Sequence, residues 1–370
     1  MRWFGRKSAD LAPLFLSLPG MDERNPFPTT HQAQLREVFL GNPVGQRAVR
    51  LVAGAVGSLK VYALEGEQKA ADLIGRASLL EQVAASLLLH GNAYLQVVEA
   101  LGVPAELFVL AADKVTPEPD ERGWPRAYHY KVGRKTSRIS RHDAIERVQL
   151  IHIKALNPLQ DQLGLGCLEA ASPAAAIHNR ASRWNKALLD NAARPSGALS
   201  YEPADGAALS AAQFARLREE IDRQFCGSDN AGRPMLLEGG LKWQSLGLTP
   251  TDMDFVAIKE AAARDIALAF GIPPVLLGLP GDTAFANLRE AGRSLYRQTV
   301  LPLAERIMSE VSEALKDWFG PLRLAIDTDA ISELAEDRER LWQMVSQADF
   351  ISADEKREML GFAPLARPGH

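Results

Sequence analysis

Cysteine is scarce in this 370-residue chain, which contains only Cys167 and Cys226. Two cysteines are too few for a disulfide-stapled secreted scaffold, so we expect an intracellular protein. Long apolar runs are also missing, since no stretch approaches the roughly 20 residues needed to span a bilayer, and we predict no membrane association. Asp10 and Pro13 interrupt the basic and apolar N-terminus, which argues against an export signal.

An excess of one charge sign is absent as well. The chain has 42 basic and 46 acidic residues and a net charge of −4. Because phosphate neutralisation supplies most non-specific affinity, this balance excludes a protein that grips nucleic acid tightly, but not one past which DNA slides.

Two local clusters of basic residues nevertheless stand out. The first reads as a β-hairpin with solvated basic tips and consists of Lys131, Arg134, Lys135, Arg138 and Arg141. The second lies on a predicted helix that also has an apolar face, so its basic side must meet water, a partner subunit or a polyanion. It provides candidate phosphate contacts at Arg180, Arg183 and Lys186.

Catalytic and nucleotide-binding motifs are missing too. No Walker A, GxSxG, HExxH or paired CxxC sequence occurs, and the histidines have no ligand spacing. Two Asp-x-Asp pairs, Asp252/Asp254 and Asp327/Asp329, lack the further oxygen ligands that magnesium needs. We interpret the first pair as helix capping and the second as a turn, and we predict no metal, no cofactor and no enzymatic activity.

The elements that are present segregate into an α+β pattern. A loose arm (1–30) precedes a mixed block (31–171), a helix (172–192), a small strand–helix–strand insertion (193–251) and a second helix (252–271). A loop (272–284) leads to a long helix and strand (285–330) and to a helical C-terminal segment (331–370). In that last segment, Ser352 and Glu355 predict a reciprocal cap.

Helix boundaries can be read from proline and glycine. Ser172 and Pro173 are typical of a helix start, and Gly271, Pro273 and Pro274 of an abrupt stop. Pro302 predicts a kink near Val300.

Apolar residues recur at helical spacing on the two helices that bracket the insertion: Ile177, Ala181, Trp184 and Leu188 on the first, and Phe255, Ile258, Ala262 and Ile266 on the second.

Five segments, in this order and spacing, resemble the HK97-type portal proteins of tailed bacteriophages. They are "HGNAYLQVVEALGVPAELFVLAADKVTP" (90–117), "ARPSGALSYEP" (193–203), "IALAFGIPPVLLG" (266–278), "AFANLREAGRSLYRQTVLPLAERI" (284–307) and "DFISADEKREMLGFAPL" (349–365). The resemblance covers nearly the whole chain. It implies a ring, usually of twelve copies, at one capsid vertex of a virion that is assembled in the bacterial host cytoplasm.

The resemblance also assigns parts. It implies a wing (31–171 with 285–330), a stem of two helices (172–192 and 252–271), a clip (193–251) and a short crown (331–370). It makes 272–284 a tunnel loop with DNA-facing residues Gly278, Leu279, Pro280, Gly281, Asp282, Thr283 and Ala284. Packing between stems would use Ile177, Trp184, Leu188, Phe255, Ile258 and Ile266.

The implied partners are further copies of the chain, the major capsid protein, the large terminase subunit, a head–tail adaptor, and double-stranded DNA held weakly in the channel. Two other hypotheses stay open at this point. One is a metal-dependent phage enzyme that uses the Asp pairs, and the other is a virion adaptor that forms no ring. The sequence leaves open whether the particle is a phage, a prophage or a gene transfer agent.

Overall fold

A computed structural model describes residues 27–190, 197–201, 241–245, 254–279 and 285–360, with isolated positions between 210 and 219. These residues form the predicted α+β arrangement, in which helices and strands segregate. Most of the insertion 193–251 and the residues after 360 lie outside this description.

The first block, which we call the wing, contains four helices and seven strands. The helices are α1 (His31–Leu35), α2 (Pro43–Gly57), α3 (Gln68–Ile74) and α4 (Ala77–His90). A π-helical turn, Arg36–Leu40, links α1 to the loop before α2. The strands are β1 (Val61–Glu65), β2 (Asn92–Ala100), β3 (Val103–Leu110), β4 (Val115–Pro119), β5 (Pro125–Val132), β6 (Lys135–Ser140) and β7 (Leu150–Lys154).

Helices α2 and α4 form the centre of the hydrophobic core. Asn42 caps α2 by accepting bonds from the amides of Val44 and Gly45, both at 3.0 Å, and Pro43 occupies the first helical turn. Val49, Val52 and Val56 recur on one face of α2 and are at most 1% exposed. Burial of such a stripe provides most of a helix's stability in a globular protein.

The remaining elements extend this core. They are α5 (Leu168–Asp190), β8 (Gly197–Tyr201), β9 (Leu241–Ser245), α6 (Phe255–Ala269), α7 (Phe285–Leu295), a π-helical turn (Tyr296–Val300), α8 (Leu301–Phe319), β10 (Arg323–Ile326), α9 (Ala335–Gln347) and α10 (Ala353–Met359). The sheets have the orders β3-β2-β7, β4-β5-β6, β1-β10 and β8-β9. Because β10 pairs antiparallel with β1, residues 285–330 return to the wing.

Helix α5 begins earlier than the sequence predicts. The Ser172–Pro173 start is wrong, because the helix already begins at Leu168 and Pro173 lies in its second turn. Leu168 and Ala171 are buried, so tertiary packing extends the helix backwards, and the proline removes a single backbone hydrogen bond on the exposed side. The stem helix therefore starts four residues before the predicted boundary.

Two predicted caps can be compared with the structure, and both are present in the described residues. The reciprocal cap of α10 is confirmed, since the Ser352 amide donates to Glu355 Oε2 at 2.7 Å and the Glu355 amide donates to Ser352 Oγ. For α6, the N-cap is Asp254 itself, which accepts from the Ala257 amide at 3.1 Å. Thr251 and Asp252 lie outside the described residues.

His152 belongs to a buried polar cluster on β7. Its ring stacks on Tyr94 with centroids 4.2 Å apart, and its Nε2 lies 3.0 Å from Asn92 Oδ1. Its Nδ1 is 3.3 Å from the Tyr128 hydroxyl, which can donate to it when the ring is neutral. Burial, the largest cause, together with nearby Lys154 and Arg141, lowers the pKa of His152 to about 3. The residue is a satisfied core histidine at neutral pH.

Candidate assembly and channel surfaces

The stem consists of α5 and α6, which pack against each other. The Trp184 and Phe255 rings stack with centroids 6.1 Å apart, and Lys259 is close enough to His178 to lower its pKa, although burial is the larger cause. Since Phe255 starts α6 while Trp184 lies near the end of α5, the two helices run in opposite directions. The buried residues of this pair are mostly small, including Ala174, Ala175, Ala181, Ala262, Ala263 and Ala267.

Large apolar side chains of the stem are exposed instead. Ile177 is 44% exposed, Trp184 49% and Ile258 43%, and the neighbouring Val256 and Leu268 are more exposed still. A monomeric protein rarely exposes so many large apolar side chains on one helix pair, which makes this pair a candidate contact surface.

Three other members of the predicted stem set differ from this. Ile266 is 0% exposed and belongs to the core of the same chain, so the expectation that it packs between copies needs correction. The face of α6 that contains Ile266 meets the wing, which periodicity alone does not reveal. Phe255 is half-buried against Trp184, and the side chain of Leu188 lies outside the described part of the chain.

A buried polar network joins the stem to the wing. The Asn42 amide group donates to Asn179 Oδ1 at 2.9 Å and lies 3.2 Å from His178 Nδ1. Asn179 Nδ2 donates to the backbone carbonyl and carboxylate of Glu37. Asn42, His178 and Asn179 are buried, so losing one of them would leave its buried partner without a hydrogen bond, whereas the Glu37 carboxylate is only partly buried. The sequence analysis did not single out Asn42, His178 or Asn179.

The three residues of α5 that were predicted to contact phosphate, Arg180, Arg183 and Lys186, have different surroundings in the structure. Arg183 donates to Glu37 Oε1 at 3.3 Å, so it takes part in the same junction. Arg180 is exposed and, with Arg36 and Arg183, lines a cavity of about 270 Å³. Lys186 is exposed on the same helix. Arg180 and Arg36 are therefore the better placed for an external anion.

The abrupt helix stop before the tunnel loop has a specific geometry. Helix α6 ends at Ala269, and Gly271 adopts φ +66°. The Thr299 hydroxyl, from the π-helical turn ahead of Pro302, donates to the Gly271 carbonyl at 2.6 Å. The sequence analysis did not identify Thr299, because a threonine within a helix has no sequence pattern that indicates a hydrogen bond to a distant carbonyl.

After Gly271 the chain remains ordered for a further turn. Pro273 precedes a 3₁₀ helix, Pro274–Leu277, and Gly278 caps it with φ +73°. Leu279 is the last described residue of the tunnel loop, and Pro280, Gly281, Asp282, Thr283 and Ala284 lie outside the described residues. The helix restarts at Phe285. Both ends of the loop are thus held by ordered backbone.

Replacing Gly271 by alanine is expected to destabilise the fold more than the same change at Gly278. Both positions have positive φ, which costs an L-residue about 1–2 kcal/mol. At Gly271 the new Cβ would also lie 2.8 Å from Thr299 Oγ1, whereas at Gly278 no atom of the described residues, apart from the adjacent ones, lies within 4 Å. We expect an additional loss of about 1 kcal/mol at Gly271, measured by denaturant unfolding below the assembly concentration. Equal losses at the two positions would show that the contact with Thr299 is irrelevant.

Ion pairs fix the C-terminal helices to the helix that follows the loop. Arg289 and Arg293 on α7 both pair with Glu336, and Arg297 pairs with Asp337. Glu336 and Asp337 lie in the first turn of α9, where carboxylates are also favoured by the helix dipole. Helix α9 is therefore held against α7 by charges that only the folded chain brings together.

Asp254, Asp327 and Asp329 have structural partners, while Asp252 lies outside the described residues. Asp254 caps α6, as described above, and Asp327 Oδ1 accepts from the Asp329 amide at 3.1 Å, while Asp329 pairs with Arg338. Among the described residues, no group of three or more metal-ligating side chains occurs. Within the same residues, no helix combines the length and apolarity that a bilayer crossing requires.

Comparisons with known proteins agree with this arrangement. A family model described as "Phage portal protein" matches residues 43–361. A relative from Rickettsia felis, described as uncharacterized, is 42% identical over 77% of this chain and 73% of its own length. The "Probable portal protein" of Streptomyces phage phiC31 is 25% identical over 79% of this chain and 65% of its own.

Two solved structures extend the comparison. A chain in the neck of a native gene transfer agent particle, computed with C12 symmetry, is 43% identical and has a TM-score of 0.70, covering 91% of this chain and 95% of that one. An HK97-family phage portal protein from Corynebacterium diphtheriae has a TM-score of 0.56 at 17% identity, covering 82% of this chain and 98% of that one. At that identity the second likeness is one of fold.

Proposed function

This chain belongs to the phage portal protein family, and from that premise we propose that twelve copies close into a ring whose channel passes double-stranded DNA. Family membership places the protein at the portal vertex of a virion or gene transfer agent particle, between head and tail. The ring, its channel and its further partners are the proposal.

The exposed large apolar residues of the stem are the observation that supports the ring. Ile177, Trp184 and Ile258 meet water in the isolated chain, while most buried residues of α5 and α6 are alanines. A head-to-tail contact between neighbouring stems would cover these residues. Repeated contacts of this kind form a closed ring when the rotation from each copy to the next adds up to a full turn. A chain that stays monomeric would have to cover the apolar faces of both helices within itself, and these residues are instead exposed.

The channel function follows from the tunnel loop and from charge. In a ring of stems, the loop 272–284 is expected to project into the channel beside the DNA. A net charge of −4 in each copy provides little phosphate neutralisation, so DNA would be held weakly and could slide. Arg180 with Arg36 provides a local exception, where we propose that phosphate contacts form.

The energy for DNA movement would come from a separate protein. The sequence has no nucleotide-binding motif, so we propose that an ATP-driven large terminase subunit docks on the clip (193–251) and that a head–tail adaptor replaces it after packaging. The wing would contact the major capsid protein. ATP hydrolysis by the purified chain alone would contradict this division of roles.

Electron microscopy of the purified protein tests the ring directly. We expect end-on views of twelvefold rings with a central hole wide enough for a duplex. Mixing with the major capsid protein provides a second condition, in case the capsid promotes closure. Discrete monomers in both conditions would contradict the ring and favour the adaptor.

A further inference from the structure

A groove with an apolar floor and an acidic rim runs along α8. It lies between α8 and the β1–β10 sheet and has a volume of about 870 Å³. Met308, Ser312 and Leu324 are buried at its floor, and Leu64 is an exposed apolar side chain at its side. The groove is therefore large enough to accept several residues of another segment.

The rim of the groove bears carboxylates without a partner. Glu65, Glu305 and Glu310 are exposed, and none of them forms a hydrogen bond or ion pair within the described residues. Arg323 adds a single positive charge to the same lining. The rim thus has an excess of negative charge that the chain itself does not neutralise.

The β5–β6 hairpin presents the complementary pattern. Its strands end at Val132 and restart at Lys135, and Gly133 in the two-residue turn has φ +60°. Val132 is 53% exposed at the tip and is surrounded in sequence by Lys131, Arg134 and Lys135. These cations are exposed and form no hydrogen bond or ion pair within the described residues.

We propose that the β5–β6 tip of one copy docks in the α8 groove of the next copy in the ring. The inference rests on the proposed ring and goes beyond it by naming a contact between wings. An apolar residue among three cations would meet an apolar floor among three carboxylates, so the charges and the apolar surfaces are complementary. Every copy carries both surfaces, and both are exposed in the single chain, so the arrangement suits a repeating head-to-tail contact.

The expected strength of the contact can be bounded. Exposed ion pairs contribute about 0.2–1 kcal/mol each, so three pairs together correspond to roughly a tenfold change in affinity between copies. The contact should also weaken with salt, because the Debye length falls from about 10 Å at 0.1 M to about 3 Å at 1 M. The stem contact is apolar and should respond little.

A charge-swap experiment tests the proposal. The hairpin variant contains Lys131→Glu, Arg134→Glu and Lys135→Glu, and the groove variant contains the changes Glu65→Lys, Glu305→Lys and Glu310→Lys. Sedimentation velocity would give the protein concentration at which half of the chains are in rings. We expect each variant to raise that concentration about tenfold or more, and the combined variant to bring it back near the wild-type value.

A matched control separates the local contact from net charge. Lys69→Glu, Lys114→Glu and Arg122→Glu together make the same change in net charge as the hairpin variant, at exposed positions elsewhere in the wing. We expect this control to assemble like the wild type. Far-ultraviolet circular dichroism would verify that each variant is folded.

The possible outcomes separate this inference from the proposed function. Wild-type rings together with unaffected assembly in both variants would overturn the wing contact and leave the ring standing. Impaired assembly in both variants without recovery in the combined one would also overturn it. A hairpin variant that assembles normally but loses DNA binding would assign the tip to DNA instead. A wild-type chain that forms no rings would contradict the proposed function itself.

Discussion

Replacing Ile177 and Ile258 by aspartate is expected to abolish ring formation and to leave a folded monomer. Both side chains are more than 40% exposed, so the substitution disturbs little of the chain's own core. In a ring they would be covered by the neighbouring stem, and an aspartate there would have to lose its hydration without a partner. Burial of an unpaired charge costs several kcal/mol, which exceeds what the lost isoleucine contacts alone contribute. Mass photometry or electron microscopy would show monomers at concentrations where the wild type forms rings.

The control for this experiment uses apolar residues that are exposed outside the stem. Ile145 and Leu156 are 68% and 81% exposed, and the changes Ile145→Asp and Leu156→Asp add the same charge without touching α5 or α6. These variants should form rings like the wild type. If the stem variant still assembled, α5 and α6 would not provide the main contact between copies. The exposed apolar residues of the stem would then no longer support the proposed ring.

Features governed by local chemistry were predictable from the sequence. The cap at Ser352, the abrupt stop at Gly271 and the restart after the loop each depend on residues within a few positions of one another. The helices also occur in the predicted order, because their apolar periodicity is a property of the sequence itself. The family resemblance then connected these local elements into one architecture, which the comparisons confirm.

Features that depend on the assembled chain were not predictable in the same way. Periodicity placed Ile177, Ala181 and Trp184 on one face, but the fold buries Ala181 and exposes the two larger residues. It also placed Ile266 with the exposed residues, although the wing covers it. The Thr299–Gly271 hydrogen bond and the ion pairs between α7 and Glu336 join residues that are 28 to 47 positions apart in the sequence. No local sequence pattern therefore predicts them.

A second large effect is expected at Gly91, where α4 meets β2. Gly91 has φ +68° and caps α4 with its amide bonded to the Leu87 carbonyl. A Cβ added here would lie 2.3 Å from the carbonyl carbon of Leu165 and 2.5 Å from the amide nitrogen of Gly166. Real Cβ atoms do not approach backbone this closely, so either α4 or the segment before α5 would have to move.

Hydrogen bonds oppose that movement. The Ala155 amide donates to the Gly91 carbonyl at 2.8 Å, and the Cys167 amide donates to the Leu88 carbonyl at 2.8 Å. The Asn92 side chain also bonds to both backbone groups of Gly164, at 2.8 and 3.0 Å. The segment 155–167 is thus attached to the end of α4 on both sides of the predicted clash, and the added methyl group cannot be accommodated by a loose loop.

Gly91→Ala should therefore lower the free energy of unfolding by about 3–5 kcal/mol, through overpacking combined with a left-handed alanine. Gly102→Ala is the matched control, since Gly102 also has positive φ, +81°, but among the described residues no atom beyond its chain neighbours lies within 4 Å of the position of its Cβ. That control should lose only about 1–2 kcal/mol. Denaturant unfolding below the assembly concentration would measure both, and similar losses would refute the packing explanation.

The position of Gly91 extends this prediction to assembly. Because the segment that it contacts leads directly into Leu168, the first residue of α5, the same packing sets where the stem helix leaves the wing. At a temperature where Gly91→Ala still folds, we expect this variant to give a lower ring yield than its folded fraction alone would predict. The ring yield of Gly102→Ala should be proportional to its folded fraction. Ring yield plotted against folded fraction for both variants would reveal the difference, and a common line would mean that Gly91 affects stability only.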